Sequence, residues 1–194
     1  RWEIESDPDG VCDGVIAKLG WPIFVKPANA GSSVGITKAH DRDELKAAIR
    51  LALANDRKVV FEAFVDGHEV ECAVIGSRPG EILAGAEFYT YDDKYKNGVS
   101  QVVIPAKLPE EKLDEVKTYA AMAYTALGCE GLARCDFFVE KDTGRVLINE
   151  INTLPGFTPI SMYPKLMEHE GIPVPALIDR LIALALERTE KQHG

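Results

Sequence analysis

The sequence predicts an α+β fold arranged as two lobes. Short apolar runs separated by glycine-containing turns are typical of strands, and longer segments with apolar residues every three or four positions are typical of amphipathic helices. The chain has 194 residues, 46% of them hydrophobic, which is enough to bury the cores of two small lobes. We place the division near Asp66-Gly67, so the predicted lobes are residues 1–66 and 67–194.

The first lobe is predicted to contain a small sheet and one helix. Its predicted strands are "RWEIES" (1–6), "WPIFVKP" (21–27), "ITK" (36–38) and "KVVFEAFV" (58–65), with a Gly/Ser loop, "ANAGSSVG", at 28–35. Asp41 followed by Glu44 has the spacing of a capping box, and the apolar residues after them recur with the helical period. We therefore expect a helix over 41–54 that packs on the sheet.

The second lobe is predicted to hold a larger sheet. The predicted strands are 69–76, 82–88, 99–106 and a strand pair within 131–151, and the predicted helices are 110–127, 161–170 and 174–189. Pro109 and Gly128 flank the first of these helices, as start and stop signals should. The polar segment "YTYDDKYKNG" (89–98) lies between two strands and is long for a hairpin tip.

Composition and the pattern of apolar residues argue against nucleic-acid and membrane partners. The net charge of −9 argues against nucleic acid, because binding to a phosphate backbone relies on a concentrated basic surface. No apolar run approaches the roughly 18 residues of a membrane span, and the opening lacks the features of a signal peptide. We therefore expect a cytoplasmic protein with no membrane partner. The four cysteines form no CxxC pair and are interpreted as small buried hydrophobes.

A predicted hairpin brings four polar side chains together. The segment "RCDFFVEKDTGRVLINEIN" reads as two strands joined by a turn at 142–144, and a three-residue hairpin loop favours glycine at its last, left-handed position. In that register Asp136 faces Glu150, and Arg134 faces Asn152. Because side chains alternate between the faces of a strand, all four lie on one surface, with opposed Cβ atoms about 5 Å apart.

This surface predicts a metal site. Opposed carboxylates repel each other unless a cation lies between them, and carboxylate and amide oxygens suit a hard ion such as Mg²⁺. The alternative is a solvated sheet face on which the acids and Arg134 pair with each other. The acids have apolar neighbours in Phe138, Ile148 and the following "TLPG". These neighbours favour the metal site over the solvated face. A two-residue loop would instead put Asp136 opposite Asn149, so the prediction depends on the register.

The glycine loop has four possible interpretations. "GSSVG" (31–35) matches the G-x-S-x-G elbow of serine hydrolases, with Ser33 as nucleophile, but that elbow needs a helix directly after the serine and "ITK" continues as a strand. The loop also lacks the lysine that ends a Walker A motif. Its backbone N–H groups, preceded by Lys26 on a strand, can cover nucleotide phosphates, although most Gly/Ser-rich turns are only turns.

Five segments of the chain, from about residue 20 to the end, carry a resemblance to known proteins: "FVKPANAGSSVGITK", "FEAFVDGHEVECAV", "EFYTYDDKY", "LARCDFFV" and "INEINTLPGFTPISMYP". Together, and in this order, they resemble the ATP-grasp fold and, within it, the D-alanine–D-alanine ligases. The resemblance implies two α+β lobes with the nucleotide site between them. It also implies that ATP phosphorylates one D-alanine and that the amine of a second displaces the phosphate, in the synthesis of peptidoglycan precursors.

The resemblance further implies the cofactors and their contacts. The cofactors would be ATP and two Mg²⁺ ions, with Mn²⁺ as a substitute. The phosphates would meet Lys26, Lys94 and the loop residues Ser32, Ser33 and Val34. Adenine would meet Glu62 and the backbone of Ala63, Phe64 and Val65, the ribose would meet Glu69, and Phe138 and Asn149 would complete the ATP contacts.

The same resemblance assigns the reacting groups. The magnesium ligands would be Asp136, Glu150 and Asn152, in agreement with the hairpin argument. Arg134 and the backbone at Gly156 would stabilise the tetrahedral oxyanion, Ser161 and Met162 would help to bind the second D-alanine, and Tyr95 would reach Ser32 to close a lid. Lys94-Tyr95 is also the pattern of ligases whose second substrate is D-alanine.

Two departures from the family limit the expectation. Ala63 stands where some members have lysine, so adenine recognition would rest on backbone. The preceding domain, which contributes a glutamate for the first D-alanine, is not in this sequence, so we expect a fragment that turns over poorly unless the full-length protein, which can be a homodimer, is restored. The alternatives are another ATP-grasp carboxylate–amine ligase, a non-catalytic nucleotide-binding fragment and a serine hydrolase at Ser33.

Overall fold

The computed structural model describes residues 1–31, 33–75, 80–83 and 101–193. These residues form two compact units, one made by residues 1–65 and the other by the described residues from Asp66 onward. Both units combine helices with antiparallel strands, so the predicted α+β class is confirmed. The assignment of residues 1–66 and 67–194 to the central and C-terminal lobes of an ATP-grasp protein stays a prediction.

The first unit is a three-stranded sheet covered by helices. In chain order its elements are α1 (Trp2–Ser6), α2 (Pro8–Leu19), β1 (Ile23–Pro27), β2 (Thr37–Ala39), α3 (Arg42–Asn55) and β3 (Val59–Ala63). The strand order is β2-β1-β3, with both pairs antiparallel. Ile23 and Val25 alternate toward a buried core that includes Leu45 and Ile49 of α3, and the intervening side chains of β1 lie on the opposite face.

The strand predicted at 1–6 is wrong, because this segment is the helix α1, and the helix α2 after it was not predicted. The Asp7 side chain accepts a hydrogen bond from the Gly10 N–H at 2.9 Å, and Pro8 occupies the first turn, as at many helix starts. The alternating pattern at the start does not mark a buried strand face, since Trp2 is 79% exposed.

The predicted helix after Asp41 is confirmed as α3. The Asp41 carboxylate accepts from the Asp43 and Glu44 N–H groups, both at 2.9 Å. The Glu44 carboxylate accepts from the His40 N–H at 2.8 Å, one residue before the cap. Residues 40 and 41, which connect β2 to α3, are therefore both held by hydrogen bonds. These bonds set the direction of the chain as it enters α3.

The second unit is built on a five-stranded antiparallel sheet. Its elements are β4 (Gly67–Val74), β5 (Gly80–Leu83), β6 (Gln101–Val103), α4 (Glu110–Ala126), β7 (Ala133–Glu140), β8 (Val146–Asn152), α5 (Met162–His169) and α6 (Val174–His193). The strand order is β6-β5-β4-β7-β8. The strands predicted at 82–88 and 99–106 overlap β5 and β6, and residues 84–100 lie outside the described residues.

Strict alternation along β7 separates two faces of this sheet. Cys135, Phe137 and Val139 are buried in a core that includes residues of α4. Arg134 and Asp136 therefore lie on the other face, as the period of a strand requires. Burial raises the pKa of the Cys135 thiol to about 11, which favours the neutral thiol expected of a packing residue.

The long helix α6 closes the described chain. It packs through Leu177, which is fully buried, while Ile178 and Ile182 are exposed. In the part of the chain that the structure describes, no helix combines the length and apolarity needed to cross a membrane.

Candidate functional site

The predicted hairpin pairing is present at the acidic residues. Asp136 on β7 is the register partner of Glu150 on β8, and Arg134 is the partner of Asn152. Asn152 is half-buried and Glu150 is exposed, on a strand at the edge of the sheet. The four side chains therefore belong to one surface of the second unit.

The pairing arises by a different route from the predicted one. The loop is Lys141 to Gly144, one residue longer than expected, and its closing bond runs from the Glu140 N–H to the Arg145 carbonyl at 3.0 Å. Gly144 at its last position has φ +66°, as predicted for that residue. A bulge between Asp136 and Phe137 leaves Asn149 unopposed and restores the register of the acids.

Arg134 binds the Asp136 carboxylate with two parallel hydrogen bonds. Its Nε donates to Oδ1 at 2.7 Å and its Nη2 donates to Oδ2 at 2.6 Å. The fork of a guanidinium matches a carboxylate in this geometry. Burial alone would lower the pKa of Arg134, but the bonds and charges of Asp136, with Glu71 and Glu150, raise it, so the guanidinium stays charged.

Asn152 links the two opposed acids. Its Nδ2 lies 3.0 Å from Glu150 Oε1 and 3.5 Å from Asp136 Oδ2. Rotation of the amide by half a turn would place its oxygen at the same point, so two carboxylates and one amide oxygen can converge on a hard cation such as Mg²⁺. Among the described residues, no group of three or more His, Cys, Asp or Glu side chains is placed to hold a metal ion.

Two further acids of β4 extend the same face. Glu71 is the register partner of Asp136, and its Oε2 lies 3.1 Å from Arg134 Nε. Glu69 is the partner of Phe138, and burial, with a smaller contribution from the Asp136 charge, raises its pKa. Sequence reasoning singled out Glu69 and missed Glu71, although the alternation in "EVE" places both side chains on one face.

A second group of predicted residues lies in the first unit. Lys26 Nζ is 2.6 Å from the Glu62 carboxylate, so residues predicted to meet the phosphates and the adenine form an ion pair. The Phe64 N–H donates to the Pro22 carbonyl at 3.2 Å, next to the half-buried Val65. Ala63 is exposed. Lys38, which the sequence did not single out, places Nζ 3.9 Å from the centre of the Phe64 ring.

The glycine loop leads into a strand. Ser33 has φ +60°, and the Val34 N–H donates to the Gly31 carbonyl at 3.2 Å, with the Val34 side chain 45% exposed. β2 follows, and the first helix after the serine is α3. The elbow of a serine hydrolase requires a helix directly after the nucleophile, so this loop does not have that geometry.

The Pro-Gly loop closes tightly on the start of α5. A Cβ added to Gly156 would lie 2.8 Å from Ser161 Oγ, so a side chain at this position would force Ser161 to shift. Ser161 Oγ accepts from the Thr158 N–H at 3.0 Å and lies 2.9 Å from the Thr158 hydroxyl. Met162 is buried, so any contact that it makes with a substrate would come from its backbone.

The remaining residues predicted to contact ATP differ in burial, and some of them lie outside the described residues. Phe138 is half-buried on the face of Asp136, and Asn149 is the exposed bulge residue. Ser32, Lys94 and Tyr95 lie outside the described residues, so their predicted roles in a lid and at the phosphates stay predictions.

Solved structures identify the class of protein. The VanG D-Ala:D-Ser ligase from Enterococcus faecalis is 38% identical, with a TM-score of 0.81 over 92% of this chain and 54% of that chain. The D-alanine-D-alanine ligase from Coxiella burnetii is 36% identical, with a TM-score of 0.81 over 95% of this chain and 50% of that chain. These likenesses and the two α+β units define an ATP-grasp protein.

A family match narrows this class. Residues 1–183 match the family described as "D-ala D-ala ligase C-terminus", and the chain belongs to that family. The match includes the first helices, which the sequence motifs did not reach.

Curated relatives agree with the family match. The D-alanine–D-alanine ligase of Acetivibrio thermocellus is 55% identical over 97% of this chain and 52% of the relative. That of Solibacter usitatus is 54% identical over 91% of this chain and 56% of the relative. The chain therefore spans about half the length of the curated relatives it matches.

Proposed function

We propose that this chain is the ATP- and Mg²⁺-binding part of a ligase that joins two D-alanines to D-alanyl-D-alanine for peptidoglycan precursors. The proposal rests on family membership and on the acids of β7 and β8. The single observation that carries it is the pairing of Asp136 with Glu150, with Asn152 within 3.5 Å of both carboxylates. Two carboxylates and an amide in this arrangement offer the oxygen ligands that Mg²⁺ prefers.

The proposed reaction has two steps. The terminal phosphoryl group of ATP passes to the carboxylate of one D-alanine, which gives an acyl phosphate and ADP. The amine of the second D-alanine then attacks the carbonyl carbon, the C–N bond forms, and phosphate leaves as the amine loses a proton. Mg²⁺ would supply charge neutralisation on the phosphoryl oxygens, on which such reactions depend.

The chain's own residues would provide the other positive charges and hydrogen-bond donors. Lys26, whose half-buried side chain lies on the face of β1 opposite the core, would meet the phosphates together with the backbone N–H groups of the loop at Ser33. Arg134 would stand next to the cation ligands and stabilise negative charge on the tetrahedral oxyanion, with the Gly156 backbone. The predicted lid of Tyr95 and Ser32 would exclude water from the acyl phosphate.

The test uses a chain extended at its N-terminus with the remaining half of the Acetivibrio thermocellus ligase. We expect phosphate release from Mg·ATP that depends on D-alanine, and loss of that release in Glu150→Gln. Glu115→Gln, on α4, is the matched control and should retain activity. ATP binding without amino-acid-dependent phosphate release would reject the ligase and favour a non-catalytic nucleotide-binding module.

A second candidate differs only in the acceptor. The solved VanG protein is titled a D-Ala:D-Ser ligase, and it is slightly more identical to this chain than the Coxiella burnetii ligase. A panel of D-alanine, D-serine and D-lactate as second substrates distinguishes the two. Preference for D-alanine supports the Lys94-Tyr95 prediction, and preference for D-serine replaces it.

The proposed substrates also bear on the cellular location of the protein and on its partners. ATP and D-alanine are small polar molecules, and ATP is plentiful in the cytoplasm, where we propose that the ligase works. The net charge of −9 argues against nucleic acid as a partner. A homodimer of the full-length protein stays a prediction, which sedimentation of the extended chain tests.

A further inference from the structure

Glu71 is the buried acid at the centre of the second sheet. It lies on β4, the middle strand of five, and its side chain is directly opposite Asp136 of β7. It is 6% exposed and is the one buried charged residue among the side chains that the structure describes, those of residues 1–31, 33–75 and 102–190. A carboxylate at such a position is costly unless a cation accompanies it.

The positive charge beside Glu71 is Arg134, which is shared between two acids. Arg134 Nε lies 2.7 Å from Asp136 Oδ1 and 3.1 Å from Glu71 Oε2. The register partner of Arg134 on β4 is Ala73, whose small side chain leaves room for the guanidinium along the sheet face. Arg134 Nε therefore lies within 3.1 Å of carboxylate oxygens from two different acids.

We propose that Glu71 is a positioning residue that shares Arg134 with Asp136, and so lets Asp136 bind a divalent cation while the guanidinium stays beside it. The inference rests on the proposed function, since it takes Asp136 as a cation ligand. A cation that binds Asp136 competes with the two hydrogen bonds from Arg134. Glu71 gives the guanidinium a second carboxylate 3.1 Å from Nε, so less electrostatic attraction is lost when an oxygen of Asp136 turns toward the cation.

Two substitutions separate this role from the negative charge of Glu71. Glu71→Asp keeps the charge but is one methylene too short to reach Nε. Glu71→Gln keeps the length and removes the charge. If Glu71 acts through its ion pair with Arg134, both changes weaken cation binding, because aspartate cannot reach Nε and the glutamine amide carries no charge. An effect of the Glu71 charge through space is lost only in Glu71→Gln.

The experiment titrates Mn²⁺ into the 194-residue chain and measures the binding affinity by calorimetry. We expect Glu71→Asp and Glu71→Gln each to weaken Mn²⁺ binding by roughly tenfold, as for other groups that orient metal ligands. Asp136→Asn should abolish binding at this site. Glu115→Gln removes a carboxylate from α4 and should bind Mn²⁺ like the unchanged chain.

The outcomes distinguish the inference from the function on which it rests. Wild-type affinity in Glu71→Asp overturns the positioning role and leaves the cation site intact. No Mn²⁺ binding by the unchanged chain, or unchanged binding by Asp136→Asn, overturns both.

If Glu71→Asp does not fold, the same question can be tested in a protein that carries Arg134→Lys. Lysine keeps the positive charge but lacks the forked guanidinium through which Arg134 contacts the two acids. There Glu71→Gln should have no further effect on Mn²⁺ affinity, and a further loss equal to that in the unchanged background overturns the positioning role.

Discussion

Asp136 and Glu150 face each other across β7 and β8 because the bulge at Asn149 offsets the four-residue loop at 141–144. Without the bulge, the register at the loop would carry Asp136 opposite Asn149. Bulges commonly re-aim side chains next to functional sites. The extra residue in β8 therefore has a direct consequence, which is that both carboxylates reach the same position along the sheet.

Lys26 should contribute to ATP binding. Lys26→Met removes a charge-assisted hydrogen bond to phosphate, and we expect about tenfold weaker binding of Mg·ATP to this chain. Lys18→Met, on the exposed side of α2, is the control and should bind normally. Calorimetry measures both affinities, and equal binding by the two variants would remove Lys26 from the phosphate site.

Gly156 and Ser161 should be coupled in stability. Gly156→Ala places a methyl group against Ser161 Oγ and should lower the free energy of unfolding by roughly 1 to 3 kcal/mol. Ser161→Ala removes that oxygen, so the double variant should lose less than the two single losses combined. Urea denaturation of the four proteins tests this coupling, and additive losses would show that the two residues do not meet.

Tyr163 should make the second unit sensitive to alkaline pH. Its hydroxyl donates to the Val74 carbonyl at 3.2 Å, and burial raises its pKa to about 12. An unfolded tyrosine ionises near pH 10, so the stability that this phenol contributes is complete below pH 10 and is lost toward pH 12, by up to about 1.4 kcal/mol per pH unit. Urea denaturation should show a steeper alkaline loss in the unchanged chain than in Tyr163→Phe. Parallel pH profiles would contradict the burial of an un-ionised phenol.

Two glycine-to-alanine changes should act in opposite directions. Gly144→Ala forces an L-residue to φ +66° at the end of the hairpin loop and should cost about 1 kcal/mol of stability. Gly14→Ala, inside α2, meets no atom within 4 Å and should add roughly 0.5 kcal/mol through helix propensity. Thermal and urea unfolding measure both, and the same sign for the two changes would contradict the assigned backbone conformations.

Local signals account for the elements that were predictable. The Asp41 cap fixes the start of α3, and the alternating apolar residues of β7 fix which face is buried. Helix α2 has a start signal at Asp7-Pro8, but Gly10 and Gly14 weaken its propensity, so its pattern is faint. The link between α2 and α3 is also invisible locally, because Arg42 binds Asp9 and Asp13 about thirty positions away.

The site was predictable only where it depends on one hairpin. Strand period places Asp136 and Arg134 on one face, and the glycine at 144 marks the turn. Turn chemistry does not determine loop length, so the bulge could not be foreseen. Glu71 enters the site because β4 pairs with β7 across more than sixty residues of sequence, and no local pattern determines that pairing.

The most direct test of the cation site is diffraction from crystals of this chain grown with Mn²⁺ and ATP, because manganese scatters anomalously and identifies its own position. We expect an anomalous peak about 2.1 Å from oxygens of both Asp136 and Glu150, with the Asn152 amide oxygen turned toward it. A peak elsewhere, with Asp136 still bound by Arg134 and Asn152, would contradict the assignment of these acids to a divalent cation.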